Sequence, residues 1–195
     1  MNLTAYDDFV AATRAGRKSA TATALHVFLK SFSTFDEKRA WVVDFLKTYQ
    51  PQDKIRHELY EQLIFPVLLQ SYRNLEIWGI RWLAATSQNL YRSKELWAQI
   101  DFVTEHSLLK QWSSLEPENE LARTALLEKL IDGFESSEHE WPAGILYGMN
   151  GANPDQCQEI ASAITEARAL DFNGKYDSYL TRFHEKLNSY MQRFG

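Results

Sequence analysis

From Ser19 to Arg193 the apolar residues recur three and four positions apart, and no segment alternates apolar with polar for long. Leu25, Phe28, Leu29 and Phe32 make one such stripe, and Trp41, Val42, Phe45 and Leu46 make another. Leu96, Trp97, Ile100 and Val103 make a third. A period of 3.6 gathers apolar side chains on one face of a helix, whereas a strand needs a period of two. The pattern predicts an all-α chain with no sheet. Only 8 Gly and 5 Pro punctuate the 195 residues, so interruptions are few and can be placed.

The punctuation predicts the following helices. Thr4 caps a first helix that ends at Gly16, with Asp7 and Asp8 in its first turn. A second runs from Ser19 to Phe32. Thr34 caps a third, with Glu37 completing a capping box, and it ends near Tyr49 before Pro51. Gln52–Tyr72 is helical but interrupted by Pro66, and Glu76–Leu90 follows a break at Arg73-Asn74. Ser93 caps a helix through Val103, and His106–Leu115 continues helical. Pro117 opens a helix that reaches Phe134. Residues 135–153, with Pro142, Gly144, Gly148 and Gly151, read as a long loop with one short turn of helix. Asn153 and Pro154 open a helix to Leu170, Asn173-Gly174 is a turn, and a last helix covers Lys175–Arg193.

Consecutive helices of this length suggest hairpins, and an internal period supports that. Arg39, Arg81 and Arg123 are each 42 residues apart. Trp41-Val42-Val43, Leu83-Ala84-Ala85 and Ala125-Leu126-Leu127 follow them at the same offset, and Leu25, Val67 and Leu109 precede them by 14. The stretch Leu63–Ala85 resembles a repeat of the HEAT and armadillo class, whose period is about 40–47 residues. Pro66 stands where that family kinks its first helix, and Arg81 stands at its basic position early in the second. The resemblance covers residues 19–132; Ala24 and Leu108 stand where the other two repeats would carry the proline, and Asn74 where the family has an aspartate near the turn. The length predicts a single domain over 1–195, and the resemblance implies stacked antiparallel pairs at 19–49, 52–90 and 93–134 within it. The loop 135–153 and a C-terminal helical cap, the pair 154–195, complete it.

Composition narrows the function classes. The single cysteine, Cys157, permits no internal disulfide and points to a reducing compartment. The N-terminus carries Asp7 and Asp8 ahead of any basic residue and lacks an apolar core, so it does not read as a signal peptide. No apolar run approaches the about 20 residues of a membrane span. The expectation is a cytoplasmic protein that meets no membrane. A pI near 5.6 and dispersed lysines and arginines do not predict a nucleic-acid groove.

No constellation predicts catalysis, a cofactor, a metal or a small-molecule ligand. His57 and Glu61 share a helix face, but two imidazoles at that spacing are what zinc chemistry uses, and Glu61 takes the second place. His139 lies among acidic residues, which reads as a solvated segment. Cys157 has no histidine near it in sequence. Gly148-Met149-Asn150-Gly151 lacks the Gly-Lys-Ser/Thr ending and the preceding strand of a phosphate loop.

The charge distribution is uneven. Residues 95–140 hold eleven Asp/Glu against three Lys/Arg, while residues 1–94 are net positive. Glu116, Glu118 and Glu120 flank the predicted helix start at Pro117, where acids favour the helix dipole. Glu135, Glu138 and Glu140 fall beyond its predicted end, with Trp141 directly after. Acids around an exposed aromatic suit a basic protein partner. These seven residues are the expected partner-binding set. The expected function is a non-catalytic protein-binding module, most concretely an acidic immunity or inhibitor protein that neutralises a basic, nuclease-type toxin. A nucleic-acid-binding helical repeat and an enzyme with a site hidden from sequence are the alternatives.

Overall fold

The computed structural model describes residues 1–50, 54–139 and 144–194. Over these residues the chain is all-α, apart from two strands of two residues each. Among the described residues, no helix is long and apolar enough to cross a membrane. Backbone packing divides the chain into two compact units, Met1–Leu108 and Leu109–Gly195.

The first unit opens with helices α1 (Leu3–Arg14) and α2 (Lys18–Leu29), which pack on each other. Asn2, not Thr4, caps α1: its side chain accepts from Ala5 N–H at 3.1 Å. Gly16 adopts φ +68° just past α1, where Arg17 N–H bonds Ala12 O and Gly16 N–H bonds Thr13 O. That is a Schellman stop with glycine in its left-handed position. Helix α3 (Phe35–Thr48) is capped by Thr34 as expected. Its aromatic Trp41 meets Phe28 of α2 at 5.1 Å and Tyr6 of α1 at 5.2 Å, so rings knit the three helices.

Pro66 produces a π turn. Helix α4 (His57–Leu59) runs into a π-helical segment, Tyr60–Ile64, and then into α5 (Phe65–Arg73). In a regular helix the proline ring would strike the carbonyl of Gln62. The wider turn, with Phe65 N–H bonded back to Tyr60 O, makes room for it. Helix α6 (Ile77–Ala85) returns along α5. The single helix expected over Glu76–Leu90 instead breaks at Thr86 before α7 (Ser87–Leu90). The Thr86 hydroxyl donates to Trp82 O at 2.6 Å, a back-bond that bends helices. With its one proton committed, it accepts from the buried Tyr60 hydroxyl at 3.2 Å. Burial raises the Tyr60 pKa.

Helix α8 (Lys94–Ala98) is capped by Ser93 as expected but stops early. Asp101 and Phe102 follow with φ +54° and +56°, a turn made without glycine. Trp97 holds it, donating its indole N–H to Val103 O at 2.8 Å. Helix α9 (Glu105–Leu115) follows, and the division between the units falls within it.

In the second unit α10 (Glu120–His139) packs on α11 (Pro154–Leu170), and α11 on α12 (Asp177–Met191). Phe134 and Phe183 meet at 4.9 Å in a core that also buries Leu126, Ile164, Leu180 and Leu187. Two expectations change. Helix α10 starts at Glu120 rather than Pro117, capped by Asn119, which accepts from Leu121 and Ala122 N–H. It also runs through Glu135 and Glu138 to His139, so the loop expected over 135–153 begins later.

Residues 145–152 form a hairpin, β1 (Leu146–Tyr147) against β2 (Asn150–Gly151), where no sheet was expected. Gly148, at φ +64°, occupies the first position of its two-residue turn, as a type II′ turn requires. The capping box of Asn153 and Gln156 opens α11 with Pro154 in its first turn, as expected.

Candidate partner-binding surface

Among the described residues of the expected site, the five acids do not share one role. Glu140 and Trp141 lie outside the described residues. Glu116 is half-buried and structural: its carboxylate accepts from Trp112 Nε1 at 2.9 Å and from Asn119 Nδ2 at 2.8 Å. It thereby orients the residue that caps α10. Glu138 ties α10 to α12, accepting from the Tyr179 hydroxyl at 3.2 Å and Lys186 Nζ at 3.3 Å. Burial, with the Glu138 charge beside it, raises the Tyr179 pKa.

Glu118, Glu120 and Glu135 are exposed, and among the described residues none has a cationic partner. Glu120 and Glu135 are fifteen residues apart on one helix, roughly 22 Å along its axis. The expectation that Glu135 and Glu138 lie past the helix is also corrected. They sit within α10 toward its C-terminal end, where the macrodipole disfavours acids. Lys186 offsets this for Glu138.

Glu120 belongs to a different assembly that the sequence reading missed. The turn between α11 and α12 lies against the first half of α10. A cleft of about 130 Å³ opens between them, lined by Glu120, Arg123, Leu127, Glu128, Phe172 and Lys175 among others. Phe172 is 72% exposed, and the Arg123 guanidinium sits 4.1 Å from its ring centroid. Leu121, beside Glu120 in sequence, is 64% exposed.

The turn carrying Phe172 is rigidly built. Asp171 accepts from Lys175 and Tyr176 N–H at 3.0 and 2.7 Å, and its carbonyl accepts from Gly174 N–H at 3.1 Å. Lys175 lies 3.9 Å from Glu128 and over the Tyr176 ring at 4.6 Å. Two of the cleft's acids are therefore engaged internally, and Glu120 remains directed outward. The signal for Phe172 was legible: an aromatic directly before an Asn-Gly turn belongs to no helix face.

The other candidates gain little. His57 Nε2 is 3.8 Å from Glu61, and among the described residues no three His, Cys, Asp or Glu side chains converge as metal ligands. Cys157 is buried, with Sγ 4.0 Å from Ala152 O, and burial raises its thiol pKa. A larger open groove of about 940 Å³ between α1 and α2 is walled mostly by Ala, Ser and Thr. Those residues offer few groups for chemistry.

Charge separates the two units. By sequence the second holds fourteen Asp/Glu against eight Lys/Arg, and the first holds twelve against thirteen. Compared with protein-family models, curated proteins and solved structures, the chain matches none.

Proposed function

We propose that this chain is a non-catalytic protein-binding module, and that its second unit engages a basic partner. The observation that carries the reading is Phe172. A large aromatic stands mostly in solvent, propped from behind by Arg123 on a hydrogen-bonded turn, beside the outward carboxylate of Glu120. A rigid aromatic loses little entropy on docking, and a surrounding negative field steers a basic partner. The acidic balance of the second unit supports the second half of that statement.

The narrower form is an acidic inhibitor of a basic, nuclease-type toxin. The scaffold is read as HEAT-like helical pairs, a reading supported by the α5/α6 hairpin. It is supported too by the pair of Arg39 in α3 with Glu76 ahead of α6, which ties one hairpin to an earlier helix.

The test is affinity capture with wild-type chain and with Phe172→Ala and Glu120→Lys side by side. A basic protein held by wild type and lost by both variants supports the reading. A partner retained equally by all three, or one that is acidic, removes it.

A further inference from the structure

The chain contains two Asn-Gly pairs, Asn150-Gly151 and Asn173-Gly174, and the fold treats them differently. Asn-Gly is the dipeptide most prone to spontaneous deamidation, because glycine leaves its own backbone nitrogen open to attack the preceding carboxamide. Whether the reaction proceeds depends on whether that nitrogen is free and whether the backbone can bend to close the ring.

At Asn173 both conditions are opposed. Gly174 N–H donates to Asp171 O at 3.1 Å, Asp177 N–H donates to Gly174 O at 3.3 Å, and the Asp171 carboxylate grips the next two amides. At Asn150 the ladder leaves the nitrogen open. Leu146 faces Gly151 and Tyr147 faces Asn150. Ala152 N–H donates to Ile145 O at 2.9 Å, which makes Ile145/Ala152 a hydrogen-bonded pair. Antiparallel pairs alternate, so Leu146/Gly151 is a non-hydrogen-bonded pair, and Gly151 N–H points away from the partner strand.

The tip is also poorly restrained. Asn150 is exposed and Met149 beside it is 93% exposed. The hairpin is anchored at its base, where the Tyr190 hydroxyl donates to Ala152 O at 3.1 Å, and on its flank, where Tyr147 donates to Glu159 at 2.6 Å. Beyond those anchors only the Tyr147/Asn150 pair must open, and strands this short open locally at little cost.

We infer that Asn150 is a deamidation and isoaspartate site of the folded protein. Gly151 N, after losing its proton to hydroxide, attacks Asn150 Cγ, and the bond to the carboxamide nitrogen breaks, releasing ammonia. Water then opens the succinimide at either carbonyl, leaving aspartate or isoaspartate. The net change consumes one water and releases one ammonia, with no oxidant or reductant. Isoaspartate lengthens the backbone by one methylene inside β2, so it breaks the register that faces Tyr147 with Asn150. The product also adds one negative charge to the acidic second unit.

The experiment is incubation of the full chain at mildly alkaline and mildly acidic pH, with isoaspartate mapped by mass spectrometry after digestion. Asn150 is expected to convert roughly tenfold or more faster than Asn173, about what one net hydrogen bond holds back. Alkaline pH should accelerate it. Gly151→Ala, whose Cβ hinders the attack, should suppress conversion at Asn150. Asp171→Ala, which loosens the other turn, should raise conversion at Asn173. Equal rates at the two sites in wild type, Asn173 converting first, no conversion at either, or an unaltered rate in Gly151→Ala would each overturn the assignment.

Discussion

Gly79 of α6 lies so close to Ser71 of α5 that a Cβ on Gly79 would stand 2.5 Å from the Ser71 Cβ. It would stand 2.9 Å from the Ser71 carbonyl carbon and from Tyr72 N. Two of those three atoms are backbone and cannot rotate away. Gly79 is helical, so helix propensity alone favours alanine there by about 1 kcal/mol. The clash opposes it, because forcing one methyl into packed backbone costs about 1–3 kcal/mol and here requires the two helices to part. The clash should win: Gly79→Ala is expected to destabilise by about 1 kcal/mol net in urea unfolding. Adding Ser71→Gly relieves only the nearest of the three contacts, so the double variant should recover little. A stabilised Gly79→Ala would mean that α5 and α6 are not this close.

The end of α5 repeats the stop seen after α1, with a different residue. Glu76 N–H bonds Ser71 O and Leu75 N–H bonds Tyr72 O, again a Schellman motif, but its left-handed position holds Leu75 at φ +56°. Leu75 is 61% exposed, so little burial offsets the strain. Leu75→Gly is expected to stabilise by about 0.5–1 kcal/mol, the strain released less the extra freedom of glycine in the unfolded chain. Gly16→Ala at the matching position after α1 should destabilise by about 1 kcal/mol. Thermal denaturation of the two variants gives shifts of opposite sign if both turns are as described.

Those two turns show where the sequence is legible. Gly16 and Gly174 announced their turns because left-handed backbone favours glycine. Leu75, Asp101 and Phe102 adopt the same backbone with no such signal, so the stop of α8 could not be placed. Thr34, Ser93 and Asn153 were readable as caps because a short oxygen side chain beside an apolar period has one obvious use. Thr86 was not, since a threonine inside an apolar run looks neutral until its back-bond and Tyr60 are seen together. Pro66 signalled an interruption but not its form, because a kink and a π turn both answer a missing N–H. In the acidic block, composition marked the region correctly as charged. It could not show that Glu116 is held by its near neighbours Trp112 and Asn119, or that Glu138 is held by partners more than forty residues away. The three arginines 42 residues apart also meet different partners. Arg39 pairs with Glu76, Arg81 lies 5.6 Å from the Trp82 ring, and Arg123 backs Phe172.

The Arg39–Glu76 pair makes stability depend on acid. Both guanidinium ends reach the carboxylate, at 3.2 and 2.5 Å. Those hydrogen bonds hold the Glu76 pKa below its ordinary 4.5. A lowered folded pKa contributes stability that is fully present above the unfolded value and is lost as pH falls through the folded one. Both side chains are about a third exposed, so solvent screens the pair and its worth is about 0.5–1 kcal/mol. Arg39→Ala should therefore lower the urea midpoint at neutral pH, and the difference from wild type should shrink as pH drops below 4.5. Arg81→Ala, at an exposed site, should cost less. A pH-independent Arg39→Ala deficit would mean that the arginine acts through packing rather than charge.

The inward and outward acids of the second unit should separate cleanly under mutation. Glu138→Gln removes the charge that Lys186 answers and weakens the acceptor for Tyr179, within the α10–α12 contact. The loss expected is about 1 kcal/mol of stability, with partner association rate unchanged. Glu120→Lys reverses an exposed carboxylate in the first turn of α10, where the helix dipole favours an acid, so stability should fall by about 0.5–1 kcal/mol. Its effect should fall on association with a captured basic partner, slowing it at low salt and fading as salt rises, because screening removes steering before it removes contact. Phe172→Ala should act differently again. It deletes the aromatic anchor without altering charge, so it should speed dissociation, leave the salt dependence of association intact, and leave Arg123 without its ring. Stopped-flow association and dissociation across a salt series, run beside urea unfolding of the same three variants, checks all of this at once. If both variants slow association in proportion to the charge they remove, Glu120→Lys about twice as much as Glu138→Gln, steering comes from the net charge of the unit rather than from the surface around Phe172.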